Sequence, residues 1–255
     1  MNKTILAIHA HPDDVEILAA GTLALLSAAS HRVEIVSMTP GDCGSQNHTP
    51  EEIASIRRRE AAAAARRIGA RYRCAEFRDL AIFNDDASRR RVTELLRTVR
   101  PDVVITASPA DYLCDHEATS ALVRDACFAA AAPNYMTAAK SAAPPLSGIP
   151  HLYFMDPIGG VDRENRPVGA DFYVDMESQF ETKRAMLAEH ASQRTWLRMQ
   201  HGVDDYLGEM ERWTRAAGRR AGVALAEGFR HYQGHPYPLT PLLEDLLGGA
   251  MRMPS

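Results

Sequence analysis

The chain has 255 residues, of which 45% are hydrophobic and 24% are charged, and its formal net charge is -4. This composition is ordinary for a globular protein, and the length suits one α/β domain or one domain with a C-terminal extension. The small negative charge gives no reason to expect binding to nucleic acid or to an anionic membrane. The sequence has no apolar run of the ~18 residues that a membrane-spanning helix needs, and its four scattered cysteines form no CxxC pair. We therefore expect reduced thiols and a cytoplasmic protein.

Apolar runs with β-strand composition alternate with segments of helical periodicity along most of the chain. The predicted strands are 4–9, 33–38, 71–77, 102–106, 151–155 and 171–174, and the predicted helices are 15–29, 51–68, 88–99, 116–132 and 177–193. This alternation predicts a Rossmann-like three-layer α/β/α fold with a mostly parallel sheet. Residues 1–200 are predicted to form the core, and 201–255 a mainly helical C-terminal extension packed on the same domain. The segment 133–150, rich in Pro, Ser and Ala, predicts a long loop that serves as a lid or an interface.

Metal-binding residue types follow two of the predicted strands. His11, Asp13 and Asp14 come just after the first strand, and Asp115 and His116 come after the strand 102–106. Ligands of open parallel sheets bind outside the carboxyl ends of the strands, so both groups are expected at one edge.

These residues suffice for a catalytic zinc site, which needs three protein ligands and one open position for water. His11, Asp14 and His116 would supply two imidazoles and a carboxylate. Asp13 would then be free to act as a general base on the bound water. Asp115 would orient His116 or Asp13.

A simpler interpretation applies to each segment alone. Asp is favoured at helix N-caps and Pro in the first helical turn, so HPDD at 11–14 could merely begin a helix. DHEATS at 115–120 could do the same. The occurrence of both at strand ends of one sheet favours the metal site.

The segment AIHAHPDDVE at 7–16 resembles the signature of the PIG-L/LmbE-type zinc-dependent de-N-acetylases. Further motifs similar to that family follow in the same order: TPGDCGS at 39–45, RRREAAAAARRIGA at 57–70, FRDL at 77–80, DYLCDHEATS at 111–120 and KRAMLAEHASQ at 183–193. The resemblance covers about residues 4 to 195. It implies that His11, Asp14 and His116 hold one Zn²⁺ per chain, or another divalent metal, and that Asp13 is the general base. It also implies that Asp115 supports the site and that Arg57 contacts the substrate or the acetate product.

One position departs from the family pattern. Many members have a histidine three residues before the metal-binding histidine, and Leu113 occupies that place here. That histidine stabilises the oxyanion or protonates the leaving amine, and such donors can contribute ~10²–10³ in rate. Three explanations remain open: another histidine such as His190 or His151 replaces it, the metal alone polarises the carbonyl, or activity is reduced. We favour replacement and select His190 as a third catalytic residue.

The resemblance implies a metal-dependent hydrolase that removes an N-acetyl group from an amino sugar or glycoside, and a homo-oligomer. Three alternatives are hydrolysis of another amide or acyl group, a non-catalytic relative that binds metal and sugar, and a nucleotide-binding module. The last would need a glycine-rich phosphate turn where the chain has HAHPDD, whose carboxylates would repel a pyrophosphate.

Overall fold

The computed structural model describes residues 2–201 and 205–255. The strands are β1 Thr4–His9, β2 Arg32–Ser37, β3 Arg71–Cys74, β4 Val103–Thr106, β5 His151–Met155, β6 Phe172–Asp175, β7 Ala226–His231 and β8 Met251–Arg252. The helices are α1 Asp14–Ala28, α2 Pro50–Arg66, α3 Asp86–Val99, α4 Cys114–Ala130, α5 Phe180–Ala188, α6 Ala191–His201, α7 Tyr206–Ala221 and α8 Leu242–Leu247. Each strand predicted from the sequence is present to within a few residues. The predicted helix 177–193 divides into a short 3₁₀ turn, α5 and the start of α6.

The eight strands form one sheet in the order β3-β2-β1-β4-β5-β7-β6-β8. The first five are mutually parallel, whereas β7 runs antiparallel to both β5 and β6. This confirms the mostly parallel three-layer prediction. The chain leaves β1 towards β2 and β3 and then returns to β4 on the other side of β1, so the strand order reverses between β1 and β4. Such a switch point is where open α/β sheets bind ligands.

Side chains along β1 alternate between two cores, one on each face of the sheet. Ile5 and Ala7 pack among residues of α1, α2 and α8, whereas Leu6 and Ile8 pack among residues of α3 and α4. Because both faces are covered by helices, β1 lies in the centre of the molecule, and its carboxyl end is a well-buried place for polar chemistry.

The C-terminal residues contribute to the sheet as well as to helices. Strand β7 lies between β5 and β6, although its segment carries the charged residue Glu227. That carboxylate is buried and accepts a hydrogen bond from the Lys183 ammonium at 2.7 Å, and it also accepts bonds from the backbone of Gly21 and Thr22. This buried network ties β7 to α1 and α5. The boundary at residue 200 stays a prediction.

The loop 133–150 packs against α3. The amide of Ala143 donates to Glu94 Oε1 at 2.8 Å, and the Thr137 hydroxyl donates to the same carboxylate. None of the described residues of this loop lines the cleft that lies beside the carboxyl end of β1. Within the described ranges, no helix combines the length and apolarity required to cross a bilayer.

Candidate active site

The site residues converge where β1 and β4 end. Strand β1 finishes at His9 and the next four residues lead into α1, while β4 finishes at Thr106 and a loop leads into α4. Because β1 and β4 are paired in parallel, both turns emerge at the same edge, as the sequence predicts.

Asp13 occupies the N-cap position of α1 without capping it. Its backbone is left-handed, with φ 94°, and its side chain makes no capping hydrogen bond. A left-handed conformation strains a residue other than glycine and is found mainly where function requires it. The Asp13 carboxylate instead accepts a 2.5 Å hydrogen bond from the Tyr206 hydroxyl at Oδ2, and the Arg57 Nη2 lies 3.4 Å from Oδ1. Simple helix capping therefore does not explain this aspartate.

Asp14 is the centre of a histidine cluster. Its Oδ2 lies 2.7 Å from His9 Nδ1, 3.3 Å from His11 Nδ1 and 3.4 Å from His116 Nε2, and it also accepts the backbone amide of His11 at 2.7 Å. Single donor atoms of His9, Asp14 and His116 lie within 4.8 Å of one another. His11 and His116 therefore both face the same Asp14 oxygen, but the group of mutually close donor atoms contains His9 in place of His11.

Two further aspartates fix the rings of these histidines. Asp111 Oδ1 lies 2.9 Å from His116 Nδ1, and Asp115 Oδ2 lies 3.1 Å from His11 Nε2. Asp115 also accepts the amide of Leu80 at 2.7 Å. The residue paired with His116 is therefore Asp111, which the sequence reasoning missed, whereas Asp115 holds His11. The missed signal is an acidic residue five positions before His116, in the loop that follows β4.

The donor set fits a divalent metal such as zinc. In the neutral imidazole, a carboxylate bonded to His116 Nδ1 places the proton there, so that Nε2 then offers its lone pair to a metal. That Nε2 is buried, makes no hydrogen bond with any described residue and lies 3.4 Å from Asp14 Oδ2. Two imidazole nitrogens and a carboxylate oxygen are typical protein ligands of catalytic zinc. Either His9 or His11 could complete a ligand set with Asp14 and His116: His9 belongs to the group of close donor atoms, whereas His11 lines the cleft.

The electrostatic field of the cluster favours cations. Burial opposes protonation of His116, but the charge of Asp14 and the hydrogen bond with Asp111 outweigh it and raise its pKa to about 10. Burial likewise opposes protonation of His11, but hydrogen bonds with Asp115 and Asp14 raise its pKa to about 9. Without a metal these imidazoles hold protons at neutral pH, and an incoming ion must displace them.

We expect metal affinity to rise with pH. Because the ion binds deprotonated imidazole, each displaced proton makes the association constant increase about tenfold per pH unit while the pH lies below the histidine pKa values. Those pKa values are about 9 and about 10, so the rise should extend through the whole neutral range. Competition with a chromophoric chelator between about pH 6 and pH 8 measures this dependence. An affinity independent of pH would contradict protonated histidines in the metal-free cluster.

Asp13 has the properties of a general base. Burial raises its pKa, the Arg57 guanidinium partly opposes this rise, and the neighbouring Asp14 charge adds to it. Burial and the Asp13 charge hold the pKa of the Tyr206 phenol well above its usual value, so Tyr206 stays protonated and donates. A carboxylate of raised pKa beside a metal cluster is suited to accept a proton from water.

The glycine loop after β2 makes room for Arg57. The Arg57 guanidinium on α2 is buried and donates from Nη2 to the Pro12 carbonyl at 2.7 Å. A Cβ on Gly41 would lie 2.3 Å from its Nη1, and a Cβ on Gly44 would lie 2.8 Å from the same atom. The two glycines therefore let the loop close over the arginine that sits beside Asp13.

The Gly41→Ala variant should lose activity as well as stability. Gly41 has φ +75°, and an added methyl would displace the Arg57 guanidinium. Gly69→Ala is a matched control, because Gly69 has φ +67° but nothing within 4 Å of its Cβ position. Both variants should lose about 1 kcal/mol of stability from the left-handed backbone, but only Gly41→Ala should lower kcat/KM, by about tenfold. Equal kcat/KM in the two variants would show that the position of Arg57 does not matter.

His190 lies beneath the site. It is fully buried, and its Nε2 is 3.5 Å from Glu16 Oε1. Burial opposes its protonation, but the Glu16 charge raises its pKa. His190 is absent from the described lining of the cleft, whereas Leu113 is part of it. His151 is the other histidine considered as a replacement for the one missing at position 113. It begins β5, at the amino ends of the parallel strands and away from the site, and it bonds to Thr240.

A cleft of about 650 Å³ opens over Asp13 and Asp14. Its lining includes His11, Arg57 and Asp79 at the polar end. The C-terminal half of the chain supplies much of the remainder, through the following residues: Ile158, Gln193, Trp196, Leu197, Tyr206, Glu209 and Trp213. Tyr206 and most of this wall were missed by sequence reasoning, because no local motif marks residues that reach the site from a distant helix.

The fold and the site together define an α/β protein with a candidate metal centre at the switch point of its sheet. A family model described as PIG-L, GlcNAc-PI de-N-acetylase, matches residues 6–127. This match confirms the resemblance drawn from the motifs, and the matched residues include Asp13, Asp14 and His116.

Two characterised relatives differ in their chemistry. The chain is 27% identical over 258 aligned residues to 4-oxalmesaconate hydratase of Pseudomonas putida, and the alignment covers 96% of this chain and 92% of that protein. It is 30% identical over 134 residues to 1D-myo-inositol 2-acetamido-2-deoxy-alpha-D-glucopyranoside deacetylase of Salinispora arenicola, which covers 41% of this chain and 43% of that enzyme.

Solved structures give the same pair of activities. N,N'-diacetylchitobiose deacetylase of Pyrococcus horikoshii superposes with a TM-score of 0.74 at 26% identity, covering 94% of this chain and 88% of that chain. GalB, the 4-carboxy-2-hydroxymuconate hydratase of Pseudomonas putida, superposes with a TM-score of 0.76 at 22% identity, covering 92% of this chain and 98% of that chain. The second likeness establishes a shared fold.

Proposed function

We propose that this protein is a zinc-dependent hydrolase that removes the acetyl group from an N-acetylated amino sugar or glycoside. The observation that carries the proposal is Asp13, a buried carboxylate of raised pKa that lines the cleft beside the Asp14 cluster. The PIG-L match and the deacetylase relatives support the same reaction. A cytoplasmic location and a homo-oligomer stay predictions.

His11, Asp14 and His116 would hold the ion, and Asp111 and Asp115 would orient the two imidazoles. A bound zinc ion would acidify a water molecule and polarise the acetyl carbonyl. His9, whose Nδ1 lies 2.7 Å from Asp14 Oδ2, would fix the rotamer of that carboxylate.

Asp13 would move the proton during hydrolysis. It accepts a proton as water adds to the acetyl carbon and then donates it to the leaving nitrogen as the C–N bond breaks, giving a free amine and acetic acid, which releases its proton to become acetate. The Tyr206 hydroxyl and Arg57 hold Asp13 in place for both transfers. This shuttle requires no imidazole at position 113. His190 would act through its buried contact with Glu16, as a positioning residue rather than as a group that touches substrate.

A second candidate is hydration of an unsaturated carboxylic acid, favoured by the likeness to the hydratase along 96% of the chain. The lining of the cleft argues against it. Its described residues include four carboxylates, Asp13, Asp14, Asp79 and Glu209, but a single guanidinium, that of Arg57. Because Arg57 is already bonded to Pro12 and faces Asp13, little positive charge other than the metal remains for a substrate with several carboxylates.

The deciding experiment measures acetate release from N-acetylglucosamine, its glycosides and chitin oligomers by zinc-loaded protein. The same protein is assayed with a chelator and, separately, for consumption of 4-oxalmesaconate. We expect acetate release that the chelator abolishes and no consumption of the unsaturated acid. Consumption of 4-oxalmesaconate without acetate release would replace the deacetylase proposal with a hydratase.

A further inference from the structure

The cleft has an apolar wall beyond its catalytic end. We define this apolar wall by eight lining residues: Ile17, Leu80, Tyr112, Leu113, Ile158, Trp196, Leu197 and Trp213. They come from six parts of the chain, namely the helices α1, α6 and α7 and the segments that follow β3, β4 and β5. Leu80 is 64% exposed and Tyr112 is 55% exposed, so the wall extends from the buried site to the surface.

The cleft is larger than an acetylated sugar ring requires. An acetyl group and one sugar ring would fill only part of a cleft of about 650 Å³, which lies in the range of pockets that hold drug-sized ligands. Exposed apolar surface continuous with a functional site is costly in water and marks a contact with a ligand or partner. Leu113 belongs to this wall, so the departure from the family pattern replaces a polar ring with apolar surface.

The charge of the lining restricts what the wall can contact. Glu209 is at the same end as Trp213, one helical turn before it on α7, and the other charged lining residues surround Asp13 and the cluster. A phosphate or carboxylate substituent would therefore meet apolar side chains and a carboxylate, Glu209, that is already paired with Arg212. Aromatic side chains such as Trp196, Trp213 and Tyr112 favour a flat, uncharged partner.

We propose that the apolar wall is a subsite for an uncharged aromatic aglycone of the N-acetylated glycoside, an inference that rests on the proposed deacetylase function. In a 2-acetamido sugar the acetamide and the aglycone are carried on adjacent carbons. With the acetamide beside Asp13, the aglycone would project from the sugar ring towards the walls of the cleft. The subsite makes an aryl glycoside, rather than the free sugar, the preferred substrate.

The chain provides its own probe for this subsite. It contains two tryptophans, Trp196 and Trp213, and both line the cleft. Intrinsic tryptophan fluorescence therefore reports on the surroundings of these two wall residues. Titrations would use the zinc-loaded Asp13→Asn protein, so that ligand is not consumed, with methyl and phenyl glycosides of N-acetylglucosamine as the two probes.

We expect the phenyl glycoside to change the fluorescence and to bind at least about tenfold more tightly than the methyl glycoside. In a Trp213→Leu background the preference should fall below about threefold. Phe128→Leu is the matched control, because Phe128 is a 52% exposed aromatic residue on α4 outside the cleft lining, and it should keep the full preference. Equal affinity for the two glycosides, or an undiminished preference in Trp213→Leu, would overturn the subsite. Tighter binding of an octyl than of a phenyl glycoside would also overturn it, in favour of a lipid chain.

Failure of the subsite and failure of the proposed function give different results. If acetate is released with equal kcat/KM from both glycosides, the protein is a deacetylase and the aromatic subsite is wrong. If the phenyl glycoside binds preferentially but releases no acetate from the wild-type protein, the subsite stands and the deacetylase reaction does not.

Discussion

The Asp13→Asn variant is expected to lower kcat for deacetylation by about 10³-fold while leaving zinc content unchanged. The amide keeps the shape of the carboxylate and its contact with the Tyr206 hydroxyl, but it cannot accept a proton from water. Asp13 is not needed as a ligand in the proposed site, since His11, Asp14 and His116 supply the three donors. Steady-state acetate release and metal analysis of the same samples measure both effects.

Asp156→Asn is the matched control for this variant. Asp156 is also a buried aspartate, and burial raises its pKa to about 6, but it does not line the cleft. We expect its kcat to stay within about threefold of the wild-type value, because it touches none of the reacting groups. An Asp13→Asn protein that retains kcat, or that loses activity only because zinc is lost, would remove Asp13 from its role as base.

The second large effect concerns which histidine binds the metal. The His11→Ala variant should weaken zinc binding by more than about 10²-fold and abolish activity at stoichiometric zinc, because it deletes a ligand that lines the cleft. The His9→Ala variant should weaken zinc binding by only about 10-fold, the loss typical of a residue that orients a ligand. Competition with a chelator at fixed pH measures both affinities.

The alternative assignment makes the opposite prediction. The atoms of His9, Asp14 and His116 that lie within 4.8 Å of one another could themselves form the ligand set. In that case His9→Ala would show the larger loss and His11→Ala the smaller one. Both variants keep the Asp14 carboxylate, so a difference between them reports on the imidazoles alone.

Much of the fold was predictable because local pattern and tertiary role agree. Strand β1 was predicted with the bounds that the structure gives, Thr4–His9, since its residues are apolar on both faces of a covered sheet. Strand β7 was not predicted. A charged residue such as Glu227 argues against a buried strand when the sequence is considered alone. In the structure the Lys183 ammonium, 44 residues earlier in the chain, lies 2.7 Å from this carboxylate and neutralises it.

The residues of the site likewise divide into those that the sequence could assign and those that it could not. The turn at 11–14 and the His116 segment could be assigned to one edge from sequence, because the carboxyl ends of parallel strands meet there. The choice between Asp111 and Asp115 as partner of His116 could not, since it depends on how the loop after β4 aims two carboxylates that are four residues apart.

The sequence by itself determined the α/β architecture, the edge that carries the chemistry and the residue types of a metal cluster beside a free carboxylate. These follow from hydrophobic periodicity and from short motifs, which act over a few residues. Only the tertiary structure decided that Tyr206 holds Asp13, that His190 lies beneath the cleft and that both tryptophans form its wall. Those contacts join residues up to 193 positions apart, and they depend on how α6 and α7 pack over α1 rather than on any local preference of the chain.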